Sequence, residues 1–112
     1  MKLFSALQVA YLMKAEAMMR SGGDATALVN ELRTVRNASS LSSVSEADLL
    51  AERGRELYKE QIRRTDLIRF GEFTRNWEFK NPNSVNDANR NLFPIPSSAL
   101  LSNPNLTQNA GY

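Results

Sequence analysis

Glu52, Glu56 and Glu60 recur at four-residue steps, which on one continuous helix sets three carboxylates along a single face. Two carboxyl groups held roughly 5 to 10 Å apart can hydrolyse a glycosidic bond, one as acid and the other as base or nucleophile. The arginines and the lysine interspersed among these glutamates hold them ionised, however, so the face reads as solvated or internally paired and no catalytic residue is assigned. Arg63, Arg64, Asp66 and Arg69 follow at once. A guanidinium fork can tie a carboxylate or a helix C-terminus with two parallel hydrogen bonds. This quartet therefore reads as structural anchors that fix a bend behind the glutamate-bearing helix, in preference to a ligand site.

The chain contains no cysteine and no histidine, which removes disulfides, thiolate nucleophiles, the usual zinc sites, Ser-His-Asp triads and any histidine pH switch. Asn83, Asn86, Asp87 and Asn89 carry oxygen donors, but a single carboxylate without a spaced loop motif suits turns better than calcium. No metal and no cofactor is expected. The net charge is +2, and Lys59, Arg63, Arg64 and Arg69 alternate with Glu56, Glu60 and Asp66, which excludes a nucleic-acid footprint. At 112 residues and 42% hydrophobic content the chain is one domain or less, with little margin for an independent core. Its opening run MKLFSALQVAYLM is broken by Gln8 and leads into Lys14 and Glu16, so it reads as helix and is too short to span a bilayer.

Apolar spacing supplies the elements that position these residues. Phe4, Leu7, Tyr11, Ala15 and Met18 predict a helix over about 4–20, which the run Ser21, Gly22, Gly23, Asp24 ends. Ala25, Leu28, Val29, Leu32 and Val35 stripe a second helix over about 25–37, making a hairpin in which Ala15 and Ala27 match the small residues of tetratricopeptide packing. A serine-rich connection leads to a helix start at Ser45 with Asp48, or Ser43 with Glu46. The third helix is expected over about 46–63, with Gly54 on its apolar stripe allowing close approach and Tyr58 in its core face, and a fourth over about 66–73 recapped by Thr65 or Asp66. Phe70, Phe73 and Trp77 continue in helical register. An Asn-rich loop over 81–91 and an extended, proline-bearing tail over 92–112, with one turn around Ala99 to Leu101, complete an all-α expectation: a tetratricopeptide-like hairpin, a bent third and fourth helix, and a long irregular tail.

Several stretches resemble the C-terminal part of the SusD/RagB family of outer-membrane nutrient-binding lipoproteins: YLMKAEAMMRSGG, the Asn30, Arg33, Arg36 pattern, ERGREL with RRTDLIRFGEF, and LFPIPSSALLSNPNLTQNAGY. They stand in family order across most of the chain from Tyr11 onward. The resemblance implies a piece, 1–112, that ends where a longer lipoprotein ends, its signal and acylated cysteine belonging to an earlier portion. It implies a non-catalytic role in holding oligosaccharide at the cell surface, for delivery to a TonB-dependent, SusC-like transporter in the outer membrane. Most glycan-binding residues then lie in that earlier portion. Trp77 is the one candidate stacking platform for a pyranose ring, although its register with Phe70 and Phe73 favours packing. A helical piece parted from a larger body bares apolar surface and is expected to self-associate. The alternative from the helices alone is a small tetratricopeptide-like module that holds a protein partner and has no sugar site.

Overall fold

The computed structural model describes residues 2–112, with side chains from Leu7 onward. The described residues form five α-helices and no strand: α1 Lys2–Arg20, α2 Thr26–Val35, α3 Glu46–Glu56, α4 Arg63–Arg69 and α5 Ser97–Ser102. The all-α class and the tetratricopeptide-like hairpin are thus as expected. Two compact units, Met1–Phe70 and Gly71–Tyr112, divide the chain.

In the first unit α1 turns Leu12 and Ala15 fully inward, with Val9 and Met19 packed beside them. Phe4, expected on the same stripe, lies outside the described side chains. At the helix end Gly23 N–H donates to Met18 O at 2.8 Å and Gly22 N–H to Met19 O at 3.0 Å, with Gly22 at φ +82 in the left-handed region that glycine enters without strain. Asp24 Oδ1 then accepts from Thr26 N–H at 2.8 Å as α2 begins. Starting at Thr26 puts Ala25, Val29 and Leu32 on the inner face. The small residue that meets the α1 side is therefore Ala25, fully buried, and not the expected Ala27, which the helical register carries to solvent. Val35, also expected inside, ends α2 and is 72% exposed.

Asn30 and Arg33 discipline the serine-rich connection. The Asn30 amide donates to Leu41 O at 2.9 Å and accepts from Leu41 N–H at 2.8 Å, while Arg33 Nε donates to Ser39 O at 2.7 Å. The capping box forms on Ser45 and Asp48, each side chain bonding the other's backbone N–H. Asp48 is held below the usual carboxylate range by the Ser45 hydroxyl.

The third helix ends at Glu56, seven residues short of the expected Arg63. Leu57, buried, is its C-cap, and Lys59 (φ 68) and Gln61 (φ 61) then adopt left-handed backbone. Each such non-glycine residue costs about 1 to 2 kcal/mol. Burying Leu57 returns about 1.5 to 3 kcal/mol, and the turn also brings Ile62 onto the core and Asp66 back to Arg53, contacts a straight helix would forfeit. Tyr58 consequently leaves the core face and is 75% exposed. α4 starts at Arg63, earlier than expected, with Ile62 as an N-cap that makes no side-chain bond; Asp66 is not a cap, because Arg53 holds it. It stops before Phe73, since Gly71 at φ +74 follows directly. The close approach at Gly54 is filled by Arg63: a β-carbon there would sit 2.8 Å from Arg63 Nη1, which donates to Leu50 O at 2.7 Å.

The second unit buries no side chain fully. Polar side chains close it by bonding backbone instead. Gln108 both donates to Ile95 O at 2.9 Å and accepts from Ile95 N–H at 2.8 Å, Asn109 donates to Phe93 O at 2.7 Å, and the Tyr112 hydroxyl donates to Leu92 O at 2.9 Å. Gly111, at φ +88, lies so near Asn89 that a β-carbon would come within 2.8 Å. Around these bonds run 3₁₀ turns at Pro82–Ser84 and Ala88–Asn91, and α5, six residues where one turn was expected. Among the described residues no helix is long and apolar enough to cross a membrane.

The revised register is testable by urea denaturation. Leu49→Ala, at a fully buried position of α3, is expected to cost about 2 to 5 kcal/mol. Val35→Ala is expected to stay within about 0.5 kcal/mol.

Candidate functional site

The densest polar arrangement joins α1, α3 and α4 in the first unit. Arg53, with a side chain only 4% exposed, grips Asp66 with a guanidinium fork, Nε to Oδ2 and Nη2 to Oδ1, both at 2.9 Å. Asp66 Oδ1 also accepts from Arg69 Nη2 at 2.7 Å. Arg69 forks in turn onto Glu16, Nε to Oε1 at 2.7 Å and Nη2 to Oε2 at 2.9 Å, and Arg20 Nε reaches the same Oε1 at 2.8 Å. Arg53 Nη1 is buried without a hydrogen bond and lies 4.0 Å from Glu16 Oε2.

The cause of the cluster is local. Glu16 is the one carboxylate on the inner face of α1, beside Leu12 and Ala15, so it must meet a cation as the helices close. The Arg69 guanidinium holds the Glu16 carboxyl down at about 2, against a partial opposing effect of burial, with Arg20 adding to the same side. Glu16 pushes the Arg69 guanidinium correspondingly up. A second set ties α2 to α3: Glu52 Oε2 accepts from Arg33 Nη1 at 2.8 Å and Arg55 Nη2 at 2.5 Å, and Glu56 accepts from Arg36 Nε at 3.1 Å. The Tyr11 hydroxyl donates to Glu31, which raises its pKa.

Apart from Glu31, each of these carboxylates lies against guanidinium donors. Such a site offers neither a neutral acid nor a free base. The face expected to align Glu52, Glu56 and Glu60 does not form, because the helix ends before Glu60, which sits exposed on the turn.

In the second unit Trp77 is half-buried and meets Phe73 edge-on, with ring centroids 6.3 Å apart. Lys80 Nζ stands over the Trp77 ring, 4.3 Å from its centroid, and is pinned there by Phe73 O at 3.0 Å and Arg75 O at 2.8 Å. A fixed ammonium thus covers one face of the indole ring.

Comparison with known proteins gives this geometry a context. A family model described as the SusD family matches residues 10–112. The chain belongs to the SusD/RagB family. It is also 46% identical, over 114 aligned positions, to the starch-binding protein SusD of Bacteroides thetaiotaomicron, an alignment covering 95% of this chain and 20% of that protein. The chain therefore spans about a fifth of the length of that curated relative.

In this SusD-family chain, Asp66 and Arg69 fall inside the buried cluster, Arg63 spans from α4 to the backbone of α3, and Arg64 is half-buried on α4. Sequence reasoning missed Glu16 and Arg53. A lone glutamate on an otherwise apolar stripe signals the first; Arg53, beside Gly54 on the face that closes against α4, signals the second less clearly. The Asn30, Arg33, Arg36 pattern also gains a physical meaning, since its members hold the 39–41 connection and two glutamates of α3.

Two measurements probe the cluster. Arg53→Ala leaves Asp66 buried without its fork and is expected to cost about 3 to 5 kcal/mol, whereas Arg53→Met combined with Asp66→Leu is expected to recover most of that loss. Glu16 binds its proton less readily folded, at about 2, than at its ordinary 4.5. Its contribution is complete above pH 4.5 and is lost as pH falls from there through about 2, so Glu16→Gln is expected to flatten the acid-unfolding curve in that window.

Proposed function

We propose that this chain is the C-terminal helical part of a surface glycan-binding lipoprotein of the outer membrane, which delivers oligosaccharide to a TonB-dependent, SusC-like transporter and catalyses nothing. The 46% identity to a protein named for binding starch, across 95% of the chain, is the observation that carries this reading. The paired carboxylates support a non-catalytic part, because Glu16, Glu52, Glu56 and Asp66 each bind guanidinium donors that hold helices together.

Within that protein the piece acts as scaffold. Arg63, Asp66 and Arg69, with Arg64 beside them, serve as anchors that fix the α3–α4 turn, and their bonds to Leu50 O, Arg53 and Glu16 support that role. Sugar recognition needs open aromatic faces with convergent hydrogen-bonding groups. Trp77 is half-buried and meets Phe73 edge-on, which supports a packing role, and on this reading the principal glycan site lies in the remaining length of the protein.

Titration calorimetry tests the division of labour. The 112-residue chain alone is expected to show no measurable affinity for starch oligosaccharides, while a longer protein that contains it binds them. Micromolar binding by the chain alone, abolished in Trp77→Ala, would move the site into this piece.

A further inference from the structure

We infer that the cleft at the α3–α4 turn binds an acidic sugar unit, a pyranose ring that carries a carboxylate. The inference rests on the glycan-binding reading above and adds a ligand class and a second contact point to it. The cleft encloses about 390 Å³ and is lined by Leu57, Tyr58, Lys59, Gln61, Ile62 and Arg63, a volume in the range of small-molecule sites.

Its charges decide the ligand. Lys59 and Arg63 both line the cleft, and neither pairs with a carboxylate among the described residues: Arg63 donates to Leu50 O, and Lys59 stands over the Tyr58 ring. Asp66, the acidic residue in the lining, already receives the Arg53 fork and Arg69, so it cannot neutralise them. Two cations without an internal anion favour a ligand that brings its own.

Its shape decides the body that carries the charge. Tyr58 is a large ring left mostly in solvent at the mouth, with the Lys59 ammonium 5.7 Å from its centroid. An apolar ring face beside an ammonium matches the apolar face of a pyranose beside its carboxylate. Gln61 adds an amide able to donate to and accept from sugar hydroxyls. The turn that presents these groups is also strained, with Lys59 and Gln61 both left-handed although neither is glycine. Strain of this kind gathers at ligand-holding segments. A neutral glucose unit would use the ring and leave both cations idle.

Amide chemical-shift titration of the 15N-labelled 112-residue chain, at fixed ionic strength, tests this with sodium glucuronate, glucose and sodium acetate. Glucuronate is expected to shift resonances of Tyr58 to Arg63 saturably, with acetate about tenfold weaker and glucose without effect. Tyr58→Ala and Lys59→Gln alter exposed side chains that leave the core intact, and each is expected to weaken glucuronate about fivefold or more. Glucose matching glucuronate, acetate matching it, insensitivity to both variants, or no shift at all would overturn the inference. Because the shifts report this cleft directly, their absence alongside starch binding by the longer protein defeats only this inference. Starch binding that fails while glucuronate binds here defeats only the broader reading.

Discussion

The fork between Arg53 and Asp66 is the interaction on which the first unit depends. Both groups are almost wholly withdrawn from water, so each is tolerable only in the presence of the other. Their meeting requires α3 to end early and α4 to fold back within a few residues, which explains why Lys59 and Gln61 accept left-handed backbone without being glycine. It also fixes where Arg69 stands, and through Arg69 the position of Glu16 on α1. One buried pair thereby sets the relation of three helices. Apolar packing of Leu12, Ala15, Leu49 and Leu57 supplies the driving force, but such contacts are non-directional and would tolerate several arrangements.

Much of this architecture is legible in the sequence where a local cause operates. The Gly22 turn, the Asp24 start, the Ser45–Asp48 box and the close approach at Gly54 each follow from residues within a few positions of one another. The end of α3 is not legible in this way. From Glu46 to Arg63 the chain keeps good helix formers and opposite charges at helical spacing, so local propensity favours one long rod. What breaks it is the pairing of Arg53 with Asp66, thirteen residues on, whose strength depends on burial that no sequence window reveals. The same blindness misplaces Tyr58, whose stripe position presumes a helix that has already ended at Glu56. Ala27 and Val35 show a smaller error of the same origin, because the α2 stripe depends on where the helix starts and ends.

The second unit follows another logic. Without a fully buried side chain it cannot rest on apolar burial, and it uses the amides of Gln108 and Asn109 and the hydroxyl of Tyr112 to satisfy the backbone of residues 92–95. Those bonds are directional but individually modest, about 0.5 to 1.5 kcal/mol each. Proline at 94 and 96 lowers the entropy of the segment they hold, which lets a few such bonds suffice. A segment built this way keeps its apolar side chains outward, and Phe79, at 97% exposure and in left-handed backbone, is the extreme case.

The contrast between paired and unpaired cations separates scaffold from surface. From α2 through α4, Arg33, Arg36, Arg53, Arg55 and Arg69 each face a carboxylate, and those pairs account for Glu52 and Glu56, two of the three glutamates that first invite a catalytic reading. Chemistry demands groups that are free to take a new partner, and a carboxylate clamped by a guanidinium is already committed to one. The segment that carries the densest charge is for that reason the least suited to catalysis. At the turn, where α3 has ended and the backbone is strained, Lys59 and Arg63 stand without a carboxylate partner among the described residues, Lys59 beside the exposed Tyr58 ring. The bend that completes the core is thus also what releases charge to the surface, because a helix continued through Glu60 would have set Arg63 against it at pairing distance.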